Sequence, residues 1–77
     1  MYSITKKLIE KLRQEIESKL NENNEYKISI SDVVKRFDVS VSTAYNVLRI
    51  LRTYYENDND SYDVIFAKSE LKIKKLK

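Results

Sequence analysis

Neither glycine nor proline occurs anywhere in this chain of 77 residues, and that double absence constrains its turns. A reversal of direction often needs a residue with positive φ, which glycine adopts freely and other residues adopt at a cost. Here Asn, Asp and Ser have to supply those positions, because their short polar side chains tolerate left-handed backbone best. Breaks between elements are therefore expected where these residues cluster. Four stretches qualify: "NENNE" at 21–25, "DVS" at 38–40, "ENDND" at 56–60 and "KSE" at 68–70.

The apolar spacing between the breaks assigns the elements. Ile4, Leu8, Leu12, Ile16 and Leu20 recur every four residues with Ile9 beside them, which predicts helix one over 3–21 with Ser3 as its N-cap. A four-residue repeat drifts by about 40° per step. The band is wide: it reads as core, with the alternative that part of it, Ile4, Leu8, Ile9 and Leu12, forms a dimer or partner contact. "YKISI" alternates Tyr26, Ile28 and Ile30 and reads as a short strand. Ser31 is expected to cap the next helix, with Asp32 at its positive end and Val33, Val34 and Phe37 on its buried side. After the turn, Ser40 or Ser42 caps a helix over 41–56 whose inner face is Ala44, Val47, Leu48 and Leu51. "SYDVIFA" and "LKIKKLK" alternate as the strands of a hairpin over 61–76. A terminal helix capped by Ser69 is the alternative for the last segment.

Composition excludes whole chemistries. With no Cys and no His, there are no disulfides, zinc-finger ligands, thiol nucleophiles or imidazole bases. With no Gly, there is no glycine-rich phosphate loop. No catalytic constellation stands out, so no enzyme activity, cofactor or metal is expected. Asp58, Asp60 and Asp63 lack the spacing of a calcium loop and read as a solvated acidic turn. No apolar run reaches the ~20 residues of a membrane span and no signal peptide is visible, so a cytoplasmic protein without membrane contact is expected. Net charge is +3. It is patterned: residues 27–55 and 64–77 are basic, and 56–63 carry only acids.

The element order and the stretch "DVVKRFDVSVSTAYNVLRIL" resemble the winged helix-turn-helix family. The match is carried by apolar Val33, Phe37 and Val39, by Ser40 at the turn exit, by Ser42-Thr43 opening the second helix, and by buried Ala44, Val47 and Leu48. Two positions depart from the family pattern: Asp38 stands where glycine is usual in the turn, and Val41 where a polar residue often faces the groove. The resemblance implies one domain over 1–77, mainly α with a small β-hairpin (α+β), in the order helix-strand-helix-turn-helix-strand-strand, with the helix-turn-helix over 31–56 and the wing over 61–76.

That family's docking mode implies double-stranded DNA as partner, with Val41, Ser42, Thr43, Tyr45, Asn46 and Arg49 facing the major groove. Asn suits adenine, Arg suits guanine or phosphate, and hydroxyls suit phosphate oxygens. If the hairpin tip is 68–70, Lys68, Lys72, Lys74 and Lys75 form a basic wing. If "RTYYE" is instead a strand, the tip is the acidic 57–60, and a protein partner is favoured. Tyr54, Tyr55 and Tyr62 read as core aromatics, with base stacking the alternative. Two functions follow: a DNA-binding transcription regulator, homodimeric, or an accessory subunit that uses the same fold to dock protein or RNA in a replication, transcription or ribosomal assembly.

Overall fold

A computed structural model describes residues 3–76. α1 spans Ser3–Asn23, β1 Glu25–Ser29, α2 Ile30–Phe37, α3 Val41–Glu56, β2 Tyr62–Ala67 and β3 Glu70–Lys75. The chain is a small α+β protein, with three helices and one antiparallel sheet of strand order β1-β3-β2 among the described residues. The elements follow the expected order. α1 already includes Ser3, and the residue before it lies outside the described residues.

The left-handed positions sit where the composition requires them. Asn24 (φ 61°) ends α1, and its N–H donates to the Leu20 carbonyl at 2.9 Å. Asp38 (φ 53°) ends α2 in the place where glycine is usual. The hairpin turns on two residues, Lys68 (φ 54°) and Ser69 (φ 63°). A two-residue hairpin loop of this kind needs positive φ at both positions. Lysine was not among the residues expected to fill such a place. Alternating burial in β2 and β3 sets the register, and the register leaves Lys68 no other conformation. Replacing Lys68-Ser69 by Asn-Gly is expected to add about 1 kcal/mol of stability, or roughly 4–8 °C in midpoint. A thermal melt that stays level or falls would refute this turn assignment.

One expected cap is corrected. Ser29, not Ser31, caps α2: its Oγ accepts the Asp32 N–H at 3.0 Å, and Asp32 Oδ2 accepts the Ser29 N–H at 3.1 Å. Asp32 stands three residues after Ser29 but next to Ser31, and only the first spacing closes a reciprocal box. The strand therefore stops at Ser29, and Ile30 belongs to α2. Ser40 caps α3 by accepting the Thr43 N–H at 3.1 Å.

Val33, Ala44, Val47, Leu48, Leu51, Leu71 and Ile73 are fully buried together with Ile16 of α1. Leu8, Leu12 and Leu20 join the same core. For Leu8 and Leu12 this bears out the core reading and removes the dimer or partner contact. α1 packs against both α3 and β1, so two neighbours cover the wide band. Leu8 and Leu12 are used inside the chain, while Ile9 is half-buried and Ile4 is exposed.

The "ENDND" stretch links α3 to β2, where the Ser61 and Tyr62 N–H groups both donate to the Asp58 carbonyl at 3.1 Å. The alternative of an acidic hairpin tip falls with this, as does the terminal helix, because 70–75 is strand. α2 is fastened to α1 by a bidentate pair: Arg36 donates to both oxygens of Glu15 at 2.8 and 2.9 Å. The Tyr26 hydroxyl donates to the same carboxylate at 2.6 Å. The Arg36 guanidinium holds the Glu15 carboxyl below its usual range, while burial and then Glu15 push the Tyr26 phenol up.

Candidate nucleic-acid interface

Burial of Ala44, Val47, Leu48 and Leu51 fixes the rotation of α3. Helix geometry then turns Ser42, Tyr45, Asn46 and Arg49 outward, and all four are exposed. Val41 heads this face at 64% exposure. From Val41 to Tyr55 the helix carries no acid, and Glu56 closes it. Arg49 makes no side-chain hydrogen bond or ion pair among the described residues, so its guanidinium is available. Thr43 differs from its neighbours. It is half-buried, and its Oγ1 accepts from the Ser40 hydroxyl at 3.0 Å, so its side chain serves the cap.

The hairpin tip meets this helix. The Tyr45 ring lies 5.7 Å from that of Phe66. Both rings line a groove of about 250 Å³, together with Arg52, Lys68 and Ser69. Arg52 was not singled out from the sequence, yet it stands on the groove side of α3, seven residues beyond Tyr45. Its Nε is shielded, makes no hydrogen bond among the described residues, and lies 3.8 Å from the Glu56 carboxylate. The one sequence signal for it was that seven-residue spacing, two turns of helix.

The four lysines expected to form one basic wing are divided by the strand register. Lys68 sits at the tip beside α3. Lys72 and Lys74 point to the outer face of the sheet, opposite the core-facing Leu71 and Ile73. Across the outer face, Lys74 stands between Glu25 of β1 and Asp63 of β2, so its charge is locally balanced. Lys72 stands between Lys27 and Ile65, and Lys27 is a neighbour that sequence reasoning missed. Lys75 alternates inward and donates to Asn21 Oδ1 of α1 at 3.5 Å. Lys75 is thus corrected from wing contact to a tie on α1, because side chains on a strand alternate strictly.

At the other end of α3, Tyr55 is buried, and Tyr54 and Tyr62 meet its ring edge-on at 5.0 Å each. The Arg13 guanidinium lies 4.4 Å from the centre of the Tyr54 ring. Among the described residues no three His, Cys, Asp or Glu side chains gather as metal ligands. No helix there is long and apolar enough to cross a membrane.

Fold and surface together define a small α+β protein whose helix α3, capped by Ser40 and without an acid before Glu56, is presented beside a hairpin tip. A family model described as F-112 protein matches residues 3–77, and the chain belongs to that family. No curated protein and no solved structure matches it.

Proposed function

We propose that this chain is a winged helix-turn-helix protein that binds double-stranded DNA and acts as a transcriptional regulator, without catalysing a reaction. α2 and α3 form the helix-turn-helix, and β2 and β3 form the wing. The observation that carries the reading is the outer face of α3: exposed Ser42, Tyr45, Asn46 and Arg49 with no acid before Glu56, and the Lys68 tip alongside. Asn46 suits adenine N6 and N7, and Arg49 suits guanine or a phosphate. Ser42 and Tyr45 hydroxyls and Lys68 suit phosphate oxygens. Val41 offers a methyl contact to thymine. The strand order β1-β3-β2 supports the reading, since it sets the hairpin next to the helix-turn-helix. The reading implies a cytoplasmic protein.

The test is fluorescence anisotropy on a random-sequence duplex at low and physiological salt. Binding is expected to weaken steeply with salt, as counterion release requires. Lys68→Ala is expected to weaken it by about three- to tenfold, the size of one phosphate contact. Lys74→Ala is expected to weaken it less than Lys68→Ala does, because Lys74 lies on the outer face of the sheet between Glu25 and Asp63 and not at the tip beside α3. No binding at low salt overturns the proposal. Exposed Val41 beside Tyr45 favours one second reading, an accessory subunit docking protein on the same face. Absence of duplex binding together with capture of a protein on Val41 and Tyr45 would favour that second reading.

A further inference from the structure

β3 lies between the other two strands, so β1 and β2 are both edges. Two hydrogen bonds fix the phase of the ladders. The Leu76 N–H donates to the Ser61 carbonyl at 2.8 Å, and the Lys75 N–H to the Asn24 carbonyl at 2.8 Å. Backbone groups alternate along an antiparallel strand. The N–H and C=O of Asp63 and Ile65 therefore face β3, and those of Val64 and Phe66 face away from the sheet.

The two edges are treated differently. On β1, the outward Ser29 N–H is taken by the Asp32 carboxylate, and Glu25 and Lys27 place charge along the strand. β2 carries Asp63 as its single charge and no lysine. The Tyr62 N–H is taken by Asp58, but among the described residues nothing takes the backbone groups of Val64 or Phe66. The inward side chains of β2 stay half-buried, while Leu71 and Ile73 next door are fully buried. Soluble proteins normally guard such an edge with lysine, proline or a bulge. Here it is open.

Charge says what fits it. β2 runs from the acidic link, Glu56, Asp58 and Asp60, to the basic tip at Lys68. An antiparallel copy of the same strand sets acid against base at both ends. We propose that β2 pairs antiparallel with β2 of a second copy, Val64 opposite Val64, joining the two sheets about a two-fold axis. The outward groups occur at every second residue, so the register can shift only in steps of two. One step one way sets Asp63 against Asp63 of the second copy. One step the other way carries Asp60 past the Lys68-Ser69 turn and away from that lysine. Like charges placed opposite each other destabilise a pair. The centred register instead sets Tyr62 opposite Phe66, an aromatic pair, and brings the turn that holds Asp60 to the turn that holds Lys68. This interface involves no DNA and does not rest on the proposed function, although both use Lys68, so it is tested without DNA.

The experiment is sedimentation equilibrium of the full chain without DNA, from low to high micromolar, with amide hydrogen exchange followed by NMR across the same range. A reversible dimer is expected, with protection at Val64 and Phe66 that rises with concentration. Val64→Pro removes an outward N–H and spares the β2–β3 ladder, so it is expected to give a folded monomer by circular dichroism. Lys68→Glu is expected to weaken the dimer about tenfold, because the contact occurs twice, and adding Asp60→Lys is expected to restore it. Should the proline variant fail to fold, the charge exchange still decides. A monomer at every concentration overturns the inference. So does a dimer in which Val64 and Phe66 exchange at a constant rate, or one in which the charge exchange has no effect. A monomer that binds duplex would leave the DNA reading standing.

Discussion

Tyr55→Ala is expected to remove about 3–5 kcal/mol of stability, as loss of a buried aromatic ring does. The side chain is only 1% exposed. It ties three elements together: its ring meets Tyr62 of β2 edge-on at 5.0 Å, and its hydroxyl donates to Glu17 of α1 at 2.6 Å. Burial first, and then the Glu17 hydrogen bond, raises the phenol above its ordinary pKa, so the ring stays neutral through the physiological range. A domain of this length has roughly 4–12 kcal/mol in total. The variant is therefore expected to melt roughly 15–30 °C lower, or to show no cooperative transition. Tyr55→Phe separates the two contributions. It keeps the ring and loses the hydroxyl, and exposed Glu17 regains water, so a cost of about 0.5–1.5 kcal/mol is expected. If the alanine variant melts within a few degrees of wild type, the C-terminal half of α3 is not part of the core as described.

Arg49→Glu is expected to abolish duplex binding while leaving the melting curve in place. The Arg49 side chain is exposed and makes no side-chain contact that stabilises the fold, so stability should move by less than about 0.5 kcal/mol. Removing a charged hydrogen bond to nucleic acid costs about 1.5–3 kcal/mol, and reversing the charge adds repulsion, so binding is expected to fall about 100-fold or more. Arg49→Ala then tells which group the arginine meets. If it meets a phosphate, binding weakens evenly across sequences and the slope of log affinity against log salt falls by about one. If it meets guanine, the preference at one base position relaxes. A glutamate variant that binds like wild type would take α3 off the DNA and return attention to Val41 and Tyr45 as a protein-docking face.

How much of this was readable beforehand differs by element. The outward face of α3 was readable because Ala44, Val47, Leu48 and Leu51 repeat with helical spacing, and the inward set names the outward one. The Asp38 turn was readable because a chain without glycine has few other residues for a left-handed position. The Ser29 cap was also written locally, in its spacing to Asp32, although Ser31 was the residue expected there.

The wing lysines were not readable in the same way. That Lys68 joins α3, Lys74 sits between two carboxylates and Lys75 ties down α1 depends on strands separated by long stretches of chain. The bidentate Glu15–Arg36 pair and the burial of Leu8 and Leu12 belong with them. So does the difference between the guarded edge of β1 and the open edge of β2. Spacing and capping act within a few residues, so the sequence by itself determined where the helices and turns fall and which face of α3 is free. Strand register and the covering of α1 are set between distant segments, and only the tertiary structure decided which charges remain available and which edge stays unpaired.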